Sequence, residues 1–378
     1  MRWILRPTGA TPRRAAFFAL YLAAVALFLE GGSRAFLACS PCFLRVAGED
    51  DPSWRLQWVG RKRTEGISYG IDVYHPRRGW ALRSLLDRRA YHGRGRLSSD
   101  GHGIRGAREN PLARVPGRRR IVVLGDSYTF GEEVSDDETY AARLEALLSD
   151  TDVLNLGVHG YGHDQMLLTL REDGVRYQPD VVLLGFVAMD MPRNTLSFRD
   201  YAKPWFVLEG GRLALRGTPV PTPEEVLAAE SRRSRFLDLL RMLAARVRER
   251  GSAAERITAA LLAEIAGTAR WAGATPVFVY LPVGAEMRPG PPLPGESFLL
   301  AEAGRLGVAA TSRRPLFLER IAKGARFRSE RRPTVHWGPE EHQLAAEGIA
   351  ALLREQGLDG AGEPPPASTT EGAGRVRP

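Results

Sequence analysis

Residues 121–131 read Ile-Val-Val-Leu-Gly-Asp-Ser-Tyr-Thr-Phe-Gly, an apolar run that stops at Gly125-Asp126-Ser127. A short run rich in β-branched residues predicts a strand buried on both faces. The turn after it carries a hydroxyl at its tip. Asp136, Asp137 and Glu138 then open an amphipathic segment over 139–148, with Leu144, Leu147 and Leu148 on one stripe. A serine at such a strand-to-helix corner lies at the carboxyl edge of a parallel sheet, where open α/β folds bind their ligands. The chemistry this allows is attack of the Ser127 hydroxyl on a carbonyl, with the unpaired Ser127 N–H receiving the oxyanion. The plainer alternative is a turn serine with no chemistry.

Other residue types are weaker candidates. His159 and His163 are four apart with Asp164 adjacent. They lie in a glycine-rich loop without a supporting ligand cluster, so substrate contact or solvent exposure is expected, and no metal. His342 falls within the last helix and is read as structural or exposed. The cysteines, Cys39 and Cys42, read Cys-Ser-Pro-Cys just after an apolar segment. That place favours a local disulfide outside the cytoplasm, or two idle thiols, over a redox centre. No cofactor is implied.

The chain has 378 residues, 44% hydrophobic and 26% charged, as in ordinary globular proteins. Its formal charge of +9 raises nucleic acid or an anionic membrane surface as partners. The basic residues are scattered arginines apart from Lys62, Lys203 and Lys323, and the cluster Arg118-Arg119-Arg120 lacks interleaved aromatics. No docking motif accompanies the charge, so nucleic acid is set aside. At the N-terminus Arg2, Arg6, Arg13 and Arg14 precede an apolar run over 15–29, followed by Glu30, Arg34 and a second apolar stretch to Ala38. The first run is short of the ~20 residues a bilayer span needs. Extension to Ala38 supplies the length, because Glu30 and Arg34 share a helix face and can pair. The basic flank favours a cytoplasmic N-terminus. A retained anchor is preferred over a cleaved signal peptide, for which Ser33-Arg34-Ala35 offers small residues. On either reading the remainder is exported.

These features divide the chain into an anchor or signal segment (1–39), a small β-rich neck (40–117), a main domain (118–356) and a disordered tail (357–378). In the neck, 54–59 and 71–74 are read as strands. In the main domain, strands over 121–124, 153–156, 181–186 and 276–281 alternate with helices over 165–171 and 257–272. That alternation predicts a three-layer α/β/α sandwich with a mainly parallel, flavodoxin-like sheet. Residues 191–251 interrupt the rhythm: a hairpin over 206–215 around Gly210-Gly211, a proline connector over 219–223, and a charged helix over 224–250. This insertion is expected to lie over the strand ends as a lid. The last helix spans 339–356. No internal repeats are present.

With these parts in place the chain resembles the SGNH (GDSL-like) hydrolase superfamily, in particular membrane-anchored bacterial members, over roughly residues 100–355. The resemblance makes Ser127 the nucleophile. Asn155-Leu156-Gly157-Val158 matches the second block and nominates the Gly157 N–H as an oxyanion donor. The loop Gly160-Tyr161-Gly162-His163-Asp164-Gln165 also looks like these exported members. The third block, Gly-x-Asn-Asp, is represented by Gly185 to Asp190, with Met189 in the asparagine slot. Methionine cannot donate a hydrogen bond, and Asn194 is the candidate substitute. Asp190, like Asp126, is read as a site-shaping carboxylate. The last block, Asp-x-x-His, keeps His336 as general base but holds Pro333 in the aspartate position, followed by Thr334. A backbone carbonyl, Glu330 or Glu340 is then the candidate that orients the imidazole.

The resemblance implies an exported, inner-membrane-tethered serine esterase or O-acyltransferase. It would act on acyl esters, acetyl above all, of envelope carbohydrate or lipid, facing the periplasm or cell exterior, with membrane proteins as potential partners. The alternative is a catalytically impaired SGNH-like domain that binds envelope glycans or scaffolds a membrane complex. Met189 and Pro333 favour it.

Overall fold

The computed structural model describes residues 12–62, 70–91, 95–247, 251–331 and 336–359. Helix α1 (Pro12–Ala38) runs into α2 (Ser40–Val46), and Cys39 and Cys42 are bonded to each other at the junction. As their spacing implies, Glu30 and Arg34 pair, at 2.8 Å. The neck then forms α3 (Asp51–Lys62) and two antiparallel hairpins, β1 (Asp72–His75) with β2 (Gly79–Leu82) and β3 (Arg89–Tyr91) with β4 (Gly95–Leu97). The strand expected over 54–59 is therefore a helix. Trp54, Leu56 and Trp58 alternate, which mimics a strand, but Trp54 and Trp58 are also one helical turn apart. Asp50 accepts from the Ser53 N–H and Pro52 occupies the first turn, both helix-start devices. Trp58 is fully buried against Phe198 and Tyr201 of the insertion.

The main domain begins with β5 (Arg119–Leu124), α4 (Ser127–Phe130) and α5 (Tyr140–Leu147), then β6 (Thr151–Asn155), α6 (His163–Glu172) and β7 (Val181–Phe186). The insertion contributes two short ribbons, β8 (Phe198–Arg199) with β9 (Tyr201–Ala202) and β10 (Trp205–Glu209) with β11 (Arg212–Arg216). It continues into α7 (Pro223–Glu230) and α8 (Arg235–Val247). The chain closes with α9 (Gly251–Trp271), β12 (Thr275–Tyr280), α10 (Pro294–Leu306), β13 (Ala309–Ser312), α11 (Arg314–Ala322), α12 (Arg328–Arg331) and α13 (Pro339–Glu355).

The five long-range strands form one parallel sheet in the order β13-β12-β7-β5-β6. Counted along the chain this is the flavodoxin-like order 2-1-3-4-5, as expected, and its switch point lies between β5 and β7. Alternation along the strands builds both faces. Val122, Leu124, Val182, Leu184, Phe278 and Tyr280 face α6, α9 and α10. Ile121, Val123, Val181, Leu183, Val277 and Val279 face α5, α11 and α13. The edge strand β13 is absent from the sequence reading because Ala-Ala-Thr-Ser carries too little apolar signal.

Within the insertion the hairpin turns at Gly210-Gly211 as expected and packs on α6 and α9. The single charged helix is broken in two. Glu230 at the end of α7 and Asp238 in α8 both bind the buried Arg55 of α3, and Ser234 caps α8 through the Leu237 N–H. Gly357–Asp359 close α13, Leu358 packing back on the core. The disorder expected of the tail otherwise falls on 360–378, outside the described residues.

Arg55 holds the neck to the insertion with two buried carboxylates. Arg235 also pairs with Glu230 at 2.6 Å and with Asp238 at 3.1 Å, so loss of Arg55 leaves the carboxylates partly compensated and costs about 3 kcal/mol, the low end for a broken buried pair. Arg55→Ala is accordingly expected to lower stability by about that much in urea unfolding. A loss within the scatter of ordinary surface substitutions would show that Arg55 is not a structural clamp.

Candidate active site

The Ser127 corner is built by backbone constraints on both sides. Asp126 caps α4 by accepting from the Tyr128 N–H at 2.9 Å, and the Gly131 and Glu132 N–H groups both donate to the Ser127 carbonyl at 3.0 Å. The Ser127 N–H, in the first turn of α4, has no backbone acceptor among the described residues. The Ser127 Oγ lies 2.8 Å from His336 Nε2 and 3.3 Å from Asp126 Oδ2. Ser127 and His336, far apart in the chain, are thus in hydrogen-bond contact.

Aromatic packing fixes His336. Trp337 is fully buried, donates to the Pro282 carbonyl at 3.0 Å and stacks on Phe317. Tyr128, next to Ser127, packs on both Trp337 and His336. His342 is structural and buried: its Nδ1 accepts the Tyr140 N–H at 3.1 Å and locks α13 to α5. Burial first, with Arg105 and His336 adding to it, lowers His342 to about 3. The Pro333 and Thr334 positions lie outside the described residues. Among the described residues no ion pair joins Glu330 or Glu340 to His336. The carboxylate that reaches the imidazole is Glu132, whose Oε2 is 3.6 Å from Nε2.

Two oxyanion assignments change. The Gly157 N–H donates to Asn155 Oδ1 at 3.0 Å, while Asn155 Nδ2 donates to the Thr129 carbonyl at 2.8 Å. Gly157 is a packing glycine, because a Cβ there would come within 2.5 Å of the Phe130 nitrogen. Asn194 is fully buried, and its Nδ2 is committed to His163 Nδ1 at 3.1 Å and Thr258 Oγ1 at 2.7 Å. It cannot stand in for the missing asparagine. Met189 itself is 51% exposed. In the loop after β6, Gly160 adopts a left-handed φ of 75° and its N–H bonds no protein atom among the described residues.

Beneath the corner is a buried charged network. Arg193 Nη1 sits 2.5 Å from Asp190 Oδ1 and 3.6 Å from Asp126 Oδ2, and Nη1 also donates to the Tyr161 carbonyl at 3.0 Å. Burial, together with the like charge of Asp126 and against the pull of Arg193, holds the Asp190 carboxyl well above its usual range. Lys203, also buried, pairs with Asp164 and donates to the carbonyls of Leu196 and Pro204 at 3.1 and 3.0 Å, fixing the loop that carries Arg193. The sequence reading missed Arg193, Lys203 and Glu132; Asp126, Asp164 and His336, which they meet, are remote in the chain.

His159 and His163 are neither exposed nor paired with each other. His163 is fully buried, and desolvation with the nearby Arg193 lowers it to about 3. His159 Nε2 binds Asp72 of the neck at 2.7 Å. Burial disfavours the His159 cation, but Asp72, supported by Glu132 and Asp200, outweighs it and raises the group to about 9. The neck reaches the loop after β5 as well. Arg105 donates to the carbonyls of Phe130, Gly131 and Val134 at 3.0, 3.1 and 2.8 Å, around the turn that carries Glu132. Among the described residues no group of three or more His, Cys, Asp or Glu could hold a metal ion.

No family model matches the chain, and a search of curated protein sequences finds no relative. Several solved structures match the chain at low identity. One is a lipolytic protein of the G-D-S-L family from Desulfitobacterium hafniense (13% identity, 62% of this chain and 100% of that one, TM-score 0.37). Another is an acetylxylan esterase from Geobacillus stearothermophilus (12% identity, 62% and 94%, TM-score 0.38). A third is TesA (14% identity, 63% and 99%, TM-score 0.36).

The histidines make stability depend on pH in a signed way. His159 is raised from 6.5 to about 9, so its contribution is complete below pH 6.5 and is lost as pH rises through about 9. His163 and His342 are lowered from 6.5 to about 3, so theirs is present above pH 6.5 and is lost as pH falls towards 3. The stability gap between the native chain and His159→Gln, read by urea unfolding, should therefore narrow as pH rises from 6.5 through 9. A gap that stays constant or widens over that interval contradicts the assignment.

Proposed function

We propose that the protein is a serine-dependent acyl esterase or O-acyltransferase. The observation that carries this reading is the 2.8 Å contact between Ser127 Oγ and His336 Nε2. Ser127 attacks the ester carbonyl while His336 Nε2 takes its proton. The tetrahedral oxyanion is received by the Ser127 N–H, with the Gly160 N–H, unbonded among the described residues, as second donor. Collapse returns the proton from His336 to the departing alcohol and leaves an acyl-Ser127 ester. Water or a glycan hydroxyl, deprotonated by the same imidazole, then removes the acyl group. Glu132 is a positioning residue here, its carboxylate stabilising the imidazolium from the Nε2 side. Ser127 is only 5% exposed, which supports a short acyl group such as acetyl.

The wider assignment rests on α1. Among the described residues this one helix is long and apolar enough to cross a membrane. We read it as an inner-membrane anchor with the catalytic domain on the periplasmic or outer side, and envelope carbohydrate or lipid as the acyl carrier. A second reading, a glycan-binding domain with impaired catalysis, is favoured by Met189, which leaves the site without the side-chain donor.

A fluorophosphonate serine probe should label the protein at Ser127 and fail on Ser127→Ala. An absence of Ser127-dependent labelling would exclude the esterase reading in favour of the binding domain. His336→Ala is expected to lower ester turnover by about 10²–10⁴-fold, the range for a lost general base. Glu132→Gln should cost about 10–100-fold, the equivalent of a charge-assisted contact of 1.5–3 kcal/mol. It should also move the pH-rate profile, with partial recovery in Glu132→Asp. An unchanged profile in Glu132→Gln would remove Glu132 from the account.

A further inference from the structure

Helix α8 is amphipathic in an unusual place. Leu237, Leu240 and Leu243 are between 42% and 48% exposed and Val247 is 86% exposed, although Asp238 and Met242 on the other face are buried. At 100° per residue the four exposed residues and Ala244 fall on one continuous arc. Residues 231–247 carry five arginines against the single acid Asp238. Of these, Arg232, Arg241 and Arg246 are exposed.

The start of α8 is clamped to α1. Glu30 accepts from the Arg235 N–H at 2.9 Å, the Phe236 N–H at 3.1 Å and the Ser234 hydroxyl at 2.7 Å, while Arg34 donates to the Arg233 carbonyl at 3.1 Å. A groove of about 490 Å³ runs between them, lined by Leu22, Val25, Leu29 and Phe236 among others. From Pro12 to Glu30 a helix rises about 27 Å at ~1.5 Å per residue, close to the ~30 Å hydrocarbon thickness of a bilayer. With α1 in the membrane, Glu30 stands at the outer interface and α8 begins at that level. On α1 itself Phe17, Phe18, Leu20, Leu27 and Phe28 are exposed as well. An apolar arc flanked by arginines at that depth matches an anionic lipid surface.

We propose that α8 is an interfacial membrane helix that lays Leu237, Leu240, Leu243 and Val247 into the outer headgroup region and holds anionic phospholipid with its arginines. This rests on the reading of α1 as a membrane anchor. It fixes the catalytic domain in one orientation against the bilayer instead of leaving it on a free tether.

The test uses the full chain in vesicles of phosphatidylcholine with phosphatidylglycerol. A fluorophore is placed in turn at Leu240→Cys, Leu243→Cys, Phe18→Cys on α1, and Lys323→Cys on α11, across the sheet. Quenching by lipids with a nitroxide high on the acyl chain is then measured. Strong quenching at Phe18, Leu240 and Leu243, with none at Lys323, is expected. Loss of most of the Leu240 signal in pure phosphatidylcholine or high salt is also expected. Quenching at Phe18 without quenching at Leu240 or Leu243 overturns the proposal and leaves the anchor standing. No quenching at Phe18 removes the anchor, and the proposal with it. Equal quenching at Leu240 in pure phosphatidylcholine overturns the role given to anionic lipid.

Discussion

The 2.8 Å contact between Ser127 and His336 is the interaction on which the other features converge. It joins the end of β5 to the entrance of α13, and neither side could hold the geometry alone. On the serine side the restraint is backbone: the Asp126 cap and two N–H groups on the Ser127 carbonyl. On the histidine side it is packing, with Trp337 buried between Phe317 and Tyr128 and anchored to the Pro282 carbonyl. The switch point of the sheet lies at the same edge, so β7 delivers Asp190 and the Arg193 loop below the pair.

Charge is buried around this pair in a way that needs the whole chain. Arg193 lies between Asp126 and Asp190, Lys203 secures the Arg193 loop, and His159 is held by Asp72 of the neck. Each group would be costly to bury alone and is retained because its partner is present. The neck is therefore more than a spacer, since Asp72 and Arg105 brace the loops after β6 and β5. The Glu132 carboxylate sits where these influences meet, near a cationic His159 and the imidazole of His336.

Much of the fold could be read from local signals. The apolar strands, the Gly125-Asp126-Ser127 corner, the Gly210-Gly211 turn and the last helix are written in short stretches of residues. Local signals mislead where periodicity is ambiguous or the decisive contact is remote. Trp54, Leu56 and Trp58 satisfy both a strand and a helix pattern. Strand β13 has almost no hydrophobic signature. Asn194 has the chemistry of an oxyanion donor, yet His163 and Thr258 occupy its amide. Glu132 looks like any acidic turn residue until His336 is brought beside it. Gly157 and Gly160 lie in one glycine-rich loop, and only the hydrogen bonding separates a packing role from an available N–H.

The central claim is that Ser127 and His336 act together as nucleophile and base. Brief exposure to para-nitrophenyl acetate, acid quench and peptide mass spectrometry tests it most directly. The account predicts a single acetyl group on Ser127 of the native chain, absent in Ser127→Ala and strongly diminished in His336→Ala. Acetylation that avoids Ser127, or that reaches Ser127 equally well without His336, would contradict it.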